Sequence, residues 1–435
     1  MDELYSKFES PDQMRLLGIY PQKQQGLFLQ RIKILGGRIS WKHWRHIADM
    51  AKTYTTETSL HLTTRQDIEL HNLTIDSLPK LQHALAETGL NTFGAGGDYV
   101  RNITICPGCD LAAQGFDLLP LAELLASHID CSPLPFDLPR KFKISLSAGS
   151  CRCAKPYISD LGFVAQENGL ITVIGAGSLG PKPDLGITLY ENLPYADVLP
   201  LTIAALKLFE QLGDRTNRTR ARLRHLREKL GNENFKADLH SCFQKTKSGN
   251  SWPQIRLNKA DASLKLIYRL HLPSGNIDSN SAFELADSAE QADAIIRLNL
   301  DQGIELYAAD TFSLPQQLAA FTDGPAIVTC PGSATCTRGL ADTVEAAAWI
   351  RQMLTGKLPP GLKINISGCP NNCAHSVVAD IGLVGLLRKV DGKPTQCFRL
   401  FYGGGNGKTQ KLAAAAEIIS ADQVIAALEK LSAYE

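Results

Sequence analysis

The stretch Lys363-Ile-Asn-Ile-Ser-Gly-Cys-Pro-Asn-Asn-Cys373-Ala decides the fold of this chain, because a related stretch stands about 220 residues earlier. That earlier stretch is Lys143-Ile-Ser-Leu-Ser-Ala-Gly-Ser-Cys-Arg-Cys153-Ala. Both end in a pair of cysteines followed by alanine. A match of this kind within one chain predicts a single architecture used twice.

Other segments repeat in the same order, with an offset of about 220 to 240 residues. They pair residues 28–40 with 267–278, 59–70 with 295–306, 105–108 with 329–332, and 160–164 with 380–384. The first pair predicts a strand, a glycine turn and a helix, and the second predicts two strands joined by a turn. Helices are expected over Leu118 to Ile129 and over Thr343 to Leu354. We therefore expect two halves with the same fold.

Composition excludes several classes of protein. The chain has 435 residues, of which 44% are hydrophobic and 20% charged, enough for a sizeable core and about three domains. A net charge of +1 gives no sign of a nucleic-acid partner. No stretch approaches the ~20 apolar residues of a membrane helix, and no secretory signal is visible, so we expect a cytoplasmic protein with no membrane partner. Eleven cysteines then indicate metal or cluster binding more than disulfides.

A basic segment, Gly213 to Leu230, lies between the repeats and is predicted to be a helix. It is interpreted either as a solvated face, or as a wall near an anionic ligand or a docking face for an acidic redox partner. Polar content rises from Lys236 to Trp252, where we expect the halves to join.

Two cysteine pairs in the second half carry the chemistry. Cys330 and Cys336 have five residues between them, and Cys369 and Cys373 have three, with glycine and proline beside the cysteines. Four thiolates on sharply turning backbone are typical of an iron–sulfur cluster. Structural zinc, which prefers shorter spacings, and four buried thiols remain the alternatives.

This motif resembles that of the sirohaem-dependent sulfite and nitrite reductase family. The resemblance extends from residue 11 onward through Leu17-Gly-Ile-Tyr20, Leu62-Thr-Thr-Arg65-Gln66, Gly97-Asp98-Tyr-Val-Arg101-Asn102, Leu138-Pro-Arg140-Lys141-Phe-Lys143 and Ala379-Asp-Ile-Gly-Leu-Val384. It implies an α+β fold of two pseudo-symmetric repeats with the cofactors at their interface. Ferredoxin-like half domains are expected at 11–80 and 255–322. A first sirohaem-reductase domain, with the substrate face, is expected at 90–235, and a second with the [4Fe-4S] motif at 325–435.

The resemblance also implies roles for individual residues. Cys330, Cys336, Cys369 and Cys373 would bind the [4Fe-4S] cluster, and Cys373 would also bind the sirohaem iron. Arg65, Arg101, Lys141 and Lys143 would surround the substrate anion. Forked guanidinium groups suit an oxyanion, and a lysine buried among cations suits proton donation. Arg31, Arg140 and Asn372 are predicted to contact the sirohaem.

The first half departs from this pattern. It has cysteines of its own at Cys106, Cys109, Cys151 and Cys153, which are interpreted as a relic, a redox or thiol site, or a second metal site. Asp301 stands where the first half has Arg65, which favours a single catalytic face on the first half.

The first functional hypothesis is six-electron reduction of sulfite to sulfide, because Lys143 supplies a second lysine where nitrite reductases of the family tend to have asparagine. Nitrite reduction to ammonia, a precorrin-3B synthase-like reaction and a sirohaem-carrying subunit without catalysis are the alternatives. No flavin or nicotinamide motif is convincing. Electrons are therefore expected from a ferredoxin or a flavoprotein partner.

Overall fold

The structure is a computed structural model of the chain. It describes residues 10–108, 115–130, 136–149, 151–253, 255–260, 263–322, 325–354, 356–357, 359, 361–390, 392–406 and 410–432. Cys109 lies outside the described residues, so its predicted role is not addressed.

The described part of the first half contains seven α-helices and eleven strands. The helices are α1 (Pro11–Leu16), α2 (Trp41–Tyr54), α3 (Ser77–Glu87), α4 (Leu119–Asp130), α5 (Val198–Leu212), α6 (Leu223–Leu230) and α7 (Asn232–Ser248). The strands are β1 (Ile19–Pro21), β2 (Leu27–Ile32), β3 (Arg38–Ile39), β4 (Ser59–Leu62), β5 (Ile68–Thr74), β6 (Thr104–Ile105), β7 (Phe116–Asp117), β8 (Ile144–Ser147), β9 (Leu161–Ala165), β10 (Leu170–Gly175) and β11 (Ile187–Pro194).

The described part of the second half contains five α-helices and twelve strands. The helices are α8 (Ser279–Gln291), α9 (Gln316–Ala319), α10 (Gly332–Thr335), α11 (Thr343–Leu354) and α12 (Val424–Ser432). The strands are β12 (Asn258–Lys259), β13 (Lys265–Leu270), β14 (Asn276–Asp278), β15 (Ile295–Leu298), β16 (Ile304–Ala308), β17 (Ala326–Thr329), β18 (Lys363–Ser367), β19 (Ile381–Val390), β20 (Lys393–Tyr402), β21 (Gly405–Asn406), β22 (Gln410–Lys411) and β23 (Ala414–Ser420).

Two five-stranded sheets repeat the same topology. The first has the order β6-β8-β9-β10-β11 and the second the order β17-β18-β19-β20-β23. In each sheet the first two strand pairs are parallel and the next two are antiparallel. The prediction of an α+β fold built from two pseudo-symmetric repeats is confirmed.

The two ferredoxin-like sheets exchange strands between the halves, which the sequence did not indicate. Strand β14 of the second half completes the sheet β1-β2-β5-β4-β14, and β3 of the first half completes the sheet β13-β16-β15-β3. The helices α2 and α8 that follow the exchanged strands pack together, and the indole of Trp44 donates to the carbonyl of Ala282 at 2.9 Å. One hydrophobic core therefore serves both ferredoxin-like sheets.

Two glycines make the exchange possible. Gly37 immediately precedes β3 and Gly275 immediately precedes β14, with φ of 74° and 73°. A Cβ at Gly37 would lie 2.4 Å from the carbonyl oxygen of Leu298, and one at Gly275 would lie 2.8 Å from that of Leu62. Each residue contacts backbone of the opposite half, so a side chain at either position would push the halves apart.

The helices expected after each Cys-Pro-Gly are present as α4 and α11, and the basic segment ends in α6. The expectation that the halves join over 236–252 is wrong. Most of that stretch forms α7, whose Phe235, Leu239 and Phe243 are buried in the core of the first half. Its polar residues lie on the outer face of an amphipathic helix, which composition alone cannot distinguish from a linker. Among the described residues, no helix is long and apolar enough to span a membrane.

Candidate active site

The parallel pairing of β17 and β18 brings the second-half cysteine pairs together. Cys330 follows β17, and Cys369 and Cys373 follow β18, so both loops leave the same edge of the sheet. Gly332 and Gly368 let the loops touch, because a Cβ at Gly368 would lie 2.7 Å from the Cα of Gly332. The two cysteine pairs seen in the sequence therefore form one site.

The surroundings of these sulfurs fit an iron–sulfur cluster. Burial and the neighbouring Cys373 raise the pKa of Cys330 to about 12, and burial also raises the pKa of Cys336 and Cys369. Because burial disfavours the thiolate form, thiolates at these positions need a positively charged metal centre. The backbone N–H of Gly368 donates to the sulfur of Cys330 at 3.1 Å, as expected for a cluster ligand.

Cys373 differs from the other three cysteines because it is exposed. Its carbonyl accepts a hydrogen bond of 3.0 Å from the hydroxyl of Thr64, which belongs to the first half. The neighbouring Asn372 is 3% exposed and has a φ of 59°. Its side chain faces Ser367 and the N–H of Val377, so it shapes the turn, and its predicted contact with the sirohaem stays a prediction.

Arg65 and Arg101 are held by backbone carbonyls beside this site. Arg65 donates to the carbonyls of Asn102 at 2.5 Å and Ile144 at 3.3 Å, and Arg101 donates to that of Gly97 at 2.7 Å. The Nε atoms of both arginines are buried without a hydrogen-bond partner among the described residues. Burial lowers the pKa of Arg65 to about 10, so it stays charged at neutral pH. Donors that are charged, fixed and unsatisfied suit an anionic ligand.

Lys141 and Lys143 lie next to these arginines because two chain segments run side by side. The N–H of Arg101 donates to the carbonyl of Phe142 at 2.8 Å. Phe142 is buried, so the two lysines, which alternate with it, point to the opposite face. Burial and then Arg101 lower the pKa of Lys141 from 10.5 to about 7. Burial and then Arg65 lower the pKa of Lys143 well below its ordinary value.

Both lysines also respond to the charge of Cys373, which raises their pKa against these larger effects. The four predicted cations and Cys373 therefore belong to one site. Its residues come from three segments of the first half and one loop of the second.

A fifth cation, Arg222, was missed by the sequence reasoning. It is the N-cap residue of α6, and its guanidinium binds the buried carboxylate of Asp160 at 2.6 Å. Asp160 also accepts from the N–H of Lys143 at 2.8 Å, which ties α6 to the lysine. The available signal was the basic segment itself. The interpretation of this segment as a wall near an anionic ligand stays a prediction.

Arg31 and Arg140 are already held by carboxylates. Arg31 binds Glu69 at 2.6 Å and donates to the carbonyl of Ala95, whereas Arg140 binds Asp98 at 2.9 Å. Their predicted contacts with the sirohaem stay predictions. These ion pairs orient both guanidinium groups.

The related position of the second half has the opposite charge. Asp301 binds Lys155 at 2.9 Å and Lys363 at 2.5 Å, so both lysines are neutralised by a carboxylate. Burial opposes ionisation of Asp301, but Lys155 and Lys363 together lower its pKa well below the ordinary value. An anion site of the kind around Arg65 is therefore not repeated around Asp301. Two cavities in the described part of the chain, of about 610 and 460 Å³, are lined by residues outside this site.

A duplicated α+β fold with four clustered cysteines and an adjoining group of cations defines a redox protein that acts on a small anion. Comparison with known proteins gives the family. The "Nitrite and sulphite reductase 4Fe-4S domain" matches residues 96–247 and 325–434, and the "Nitrite/Sulfite reductase ferredoxin-like half domain" matches residues 20–88. The chain belongs to the nitrite and sulphite reductase family, as the sequence predicted. Its cofactors are those of that family, a [4Fe-4S] cluster and sirohaem.

Individual relatives cover most of the chain. A ferredoxin–nitrite reductase of Synechococcus elongatus is 29% identical over 91% of this chain and 83% of its own length. A chloroplastic ferredoxin–nitrite reductase of Arabidopsis thaliana is 27% identical over 94% of this chain and 77% of its own length. The solved structure of the Mycobacterium tuberculosis NirA protein superposes with a TM-score of 0.81 at 20% identity, covering 97% of this chain and 86% of that one. That likeness supports the fold.

Proposed function

We propose that this protein reduces nitrite to ammonium, with a ferredoxin as the electron donor. The observation that carries the proposal is the group of four cations from the first half, Arg65, Arg101, Lys141 and Lys143, gathered beside the exposed Cys373. The choice of nitrite and of ferredoxin rests on the names of the relatives, which are ferredoxin–nitrite reductases. A cytoplasmic location stays a prediction.

Sirohaem, when bound beside the cluster, supplies iron for the substrate and a path for six electrons. Cys330, Cys336, Cys369 and Cys373 would hold the cluster, and the last of these would also reach the sirohaem. The remaining chemistry belongs to the protein. Reduction of nitrite to ammonium consumes eight protons and releases two water molecules, so the site must bind an anion and deliver protons.

The arginines and the lysines divide these tasks. Arg65 keeps its charge at neutral pH, and both Arg65 and Arg101 present unsatisfied Nε–H groups, so the two side chains bind and orient the oxyanion. Lys141 has a pKa of about 7, which suits a group that gives up a proton and regains it in each turnover. Arg222 and Asp160 hold the backbone of Lys143 in place.

Reduction of sulfite is the second candidate, and a specific residue favours it. The sequence placed sulfite first because Lys143 adds a second lysine to the site. That preference is not confirmed, since the relatives are named for nitrite. The names of these relatives give no support to a precorrin-3B synthase-like reaction.

Rates with nitrite and with sulfite distinguish the two candidates. The cofactor-loaded protein is assayed with reduced viologen and then with reduced ferredoxin, and ammonium and sulfide are measured. We expect nitrite to be preferred by about tenfold or more in kcat/KM, the lower end of the discrimination that a small difference in substrate size gives. If sulfide is the main product, sulfite replaces nitrite as the proposed substrate. If the protein forms neither ammonium nor sulfide, the proposal is overturned.

Lys143→Asn tests the residue that favours sulfite. We expect it to lower the sulfite rate more than the nitrite rate, because the doubly charged anion loses the larger attraction. Lys182→Asn, at an exposed position outside the site, is the matched control. An equal effect on both substrates would show that Lys143 does not select between them.

A further inference from the structure

Three cysteines of the first half meet at one point. Cys106 follows β6, and Cys151 and Cys153 lie in the loop after β8. The sulfurs of Cys151 and Cys153 are 3.3 Å apart, and all three sulfurs lie within 4.8 Å of one another. In the described residues this is the one group of three or more ligating side chains with such spacing. The cysteines therefore form a built cluster.

The cluster occupies the place in the first half that the [4Fe-4S] site occupies in the second. Cys106 corresponds to Cys330, and each sulfur accepts a backbone N–H at 3.1 Å, from Ala148 and Gly368 respectively. The turns that hold Cys153 and Cys373 are also alike, because the residues before them, Arg152 and Asn372, have φ of 51° and 59°. The backbone of a metal site is thus present twice.

The positions of the cysteines on that backbone differ between the halves. The second half has three residues between its last two cysteines, whereas the first half has only Arg152 between Cys151 and Cys153. The shorter spacing makes the first-half sulfurs converge. Ligands of a cubane cluster bind different iron atoms and lie apart, whereas ligands of one ion must converge. The first-half geometry therefore suits a single ion.

The distances agree with a tetrahedral thiolate site. A Zn–S bond of about 2.3 Å places two sulfur ligands of one zinc ion about 3.8 Å apart. The observed sulfurs, from 3.3 Å to within 4.8 Å apart, reach this spacing with small side-chain rotations. Thiolates favour zinc over magnesium or calcium, and the N–H of Ala148 stabilises negative charge on Cys106.

We propose that Cys106, Cys151 and Cys153 bind one Zn²⁺ ion, separate from the [4Fe-4S] cluster. Three thiolates leave a fourth position for water or another ligand, as in other zinc sites with three protein ligands. The ion ties the end of β6 to the loop after β8. The assignment does not depend on Cys109 or on which oxyanion the enzyme reduces.

Metal analysis of the purified holoenzyme tests the site. After removal of loosely bound metal, we expect about one zinc per chain in the unmodified protein, with iron measured in the same sample. Cys151→Ser/Cys153→Ser should lower zinc about tenfold and leave iron unchanged, because only zinc loses ligands. Cys242→Ser, whose thiol instead contacts the carbonyl of Ala204, should keep both metals.

A second measurement keeps the proposal testable if the double variant does not fold. X-ray absorption at the zinc edge of the unmodified protein should show about three sulfur neighbours at about 2.3 Å. Zinc surrounded only by oxygen and nitrogen, or zinc near zero in protein grown with added zinc, would overturn the assignment. So would a disulfide between Cys151 and Cys153 in the native holoenzyme, found by mass spectrometry of its peptides.

Discussion

Replacing Lys141 with methionine removes one ammonium group from the candidate active site and keeps the length of the side chain. If Lys141 donates protons to the substrate, kcat should fall by about 10²- to 10⁴-fold, the usual contribution of a general acid. KM should change less, because Arg65 and Arg101 still bind the anion. The variant should keep both cofactors, since none of their proposed cysteine ligands is altered.

The structure also sets the pH dependence. The fall of the Lys141 pKa from 10.5 to about 7 means that the site disfavours the ammonium by about 5 kcal/mol relative to water. As pH rises through 7, the unmodified enzyme loses this proton, so kcat/KM should fall on the alkaline side. A bound anion stabilises the ammonium form of Lys141 and so raises the pKa of Lys141 in the enzyme–substrate complex. The fall of kcat should therefore begin at a higher pH than the fall of kcat/KM.

The assay is a pair of pH profiles with reduced viologen, for the unmodified enzyme and for Lys141→Met. The alkaline fall of kcat/KM near pH 7 should be absent from the variant. Lys80→Met, at an exposed position of α3, is the control and should match the unmodified enzyme. A decrease in kcat of less than about tenfold with an unchanged pH profile would refute the role of Lys141.

Two further substitutions test the ion pairs around the site. Asp301→Asn leaves Lys155 and Lys363 without their carboxylate and should cost about 3–5 kcal/mol of stability at neutral pH. The carboxylate contributes this stability above the ordinary aspartate pKa, so in the unmodified protein it should be lost only as pH falls well below 4. Glu69→Gln breaks the pair with Arg31 and should cost about as much, since Glu69 is 4% exposed. Thermal unfolding of the holoenzyme measures both.

Exposed carboxylates provide the controls for these two variants. Asp310→Asn and Glu57→Gln remove the same charges from exposed positions and should leave the unfolding temperature nearly unchanged. If Asp301→Asn and Glu69→Gln melt together with these controls, the ion pairs do not stabilise the fold.

Much of the site is visible in the sequence because its residues stand in short motifs. Cys369 and Cys373 are close in space because only three residues separate them. Lys141 and Lys143 share a face because side chains alternate along an extended segment. For Arg222 the sequence offers only the basic segment around it and no short motif, because Arg222 reaches the site through Asp160, which lies 62 residues away in the chain.

The sequence alone determined the family, the two cofactors and the duplication, because each depends on the spacing of residues along the chain. The tertiary structure decided how the halves combine. It exchanged β3 and β14 between the sheets, joined Thr64 to Cys373, and brought Cys106 to Cys151 and Cys153. These contacts depend on which sheet edges and loops meet after packing, and residue spacing does not encode that geometry. The cysteine stretch at 363–374 therefore identifies the cluster, whereas the fold supplies the cations that face it.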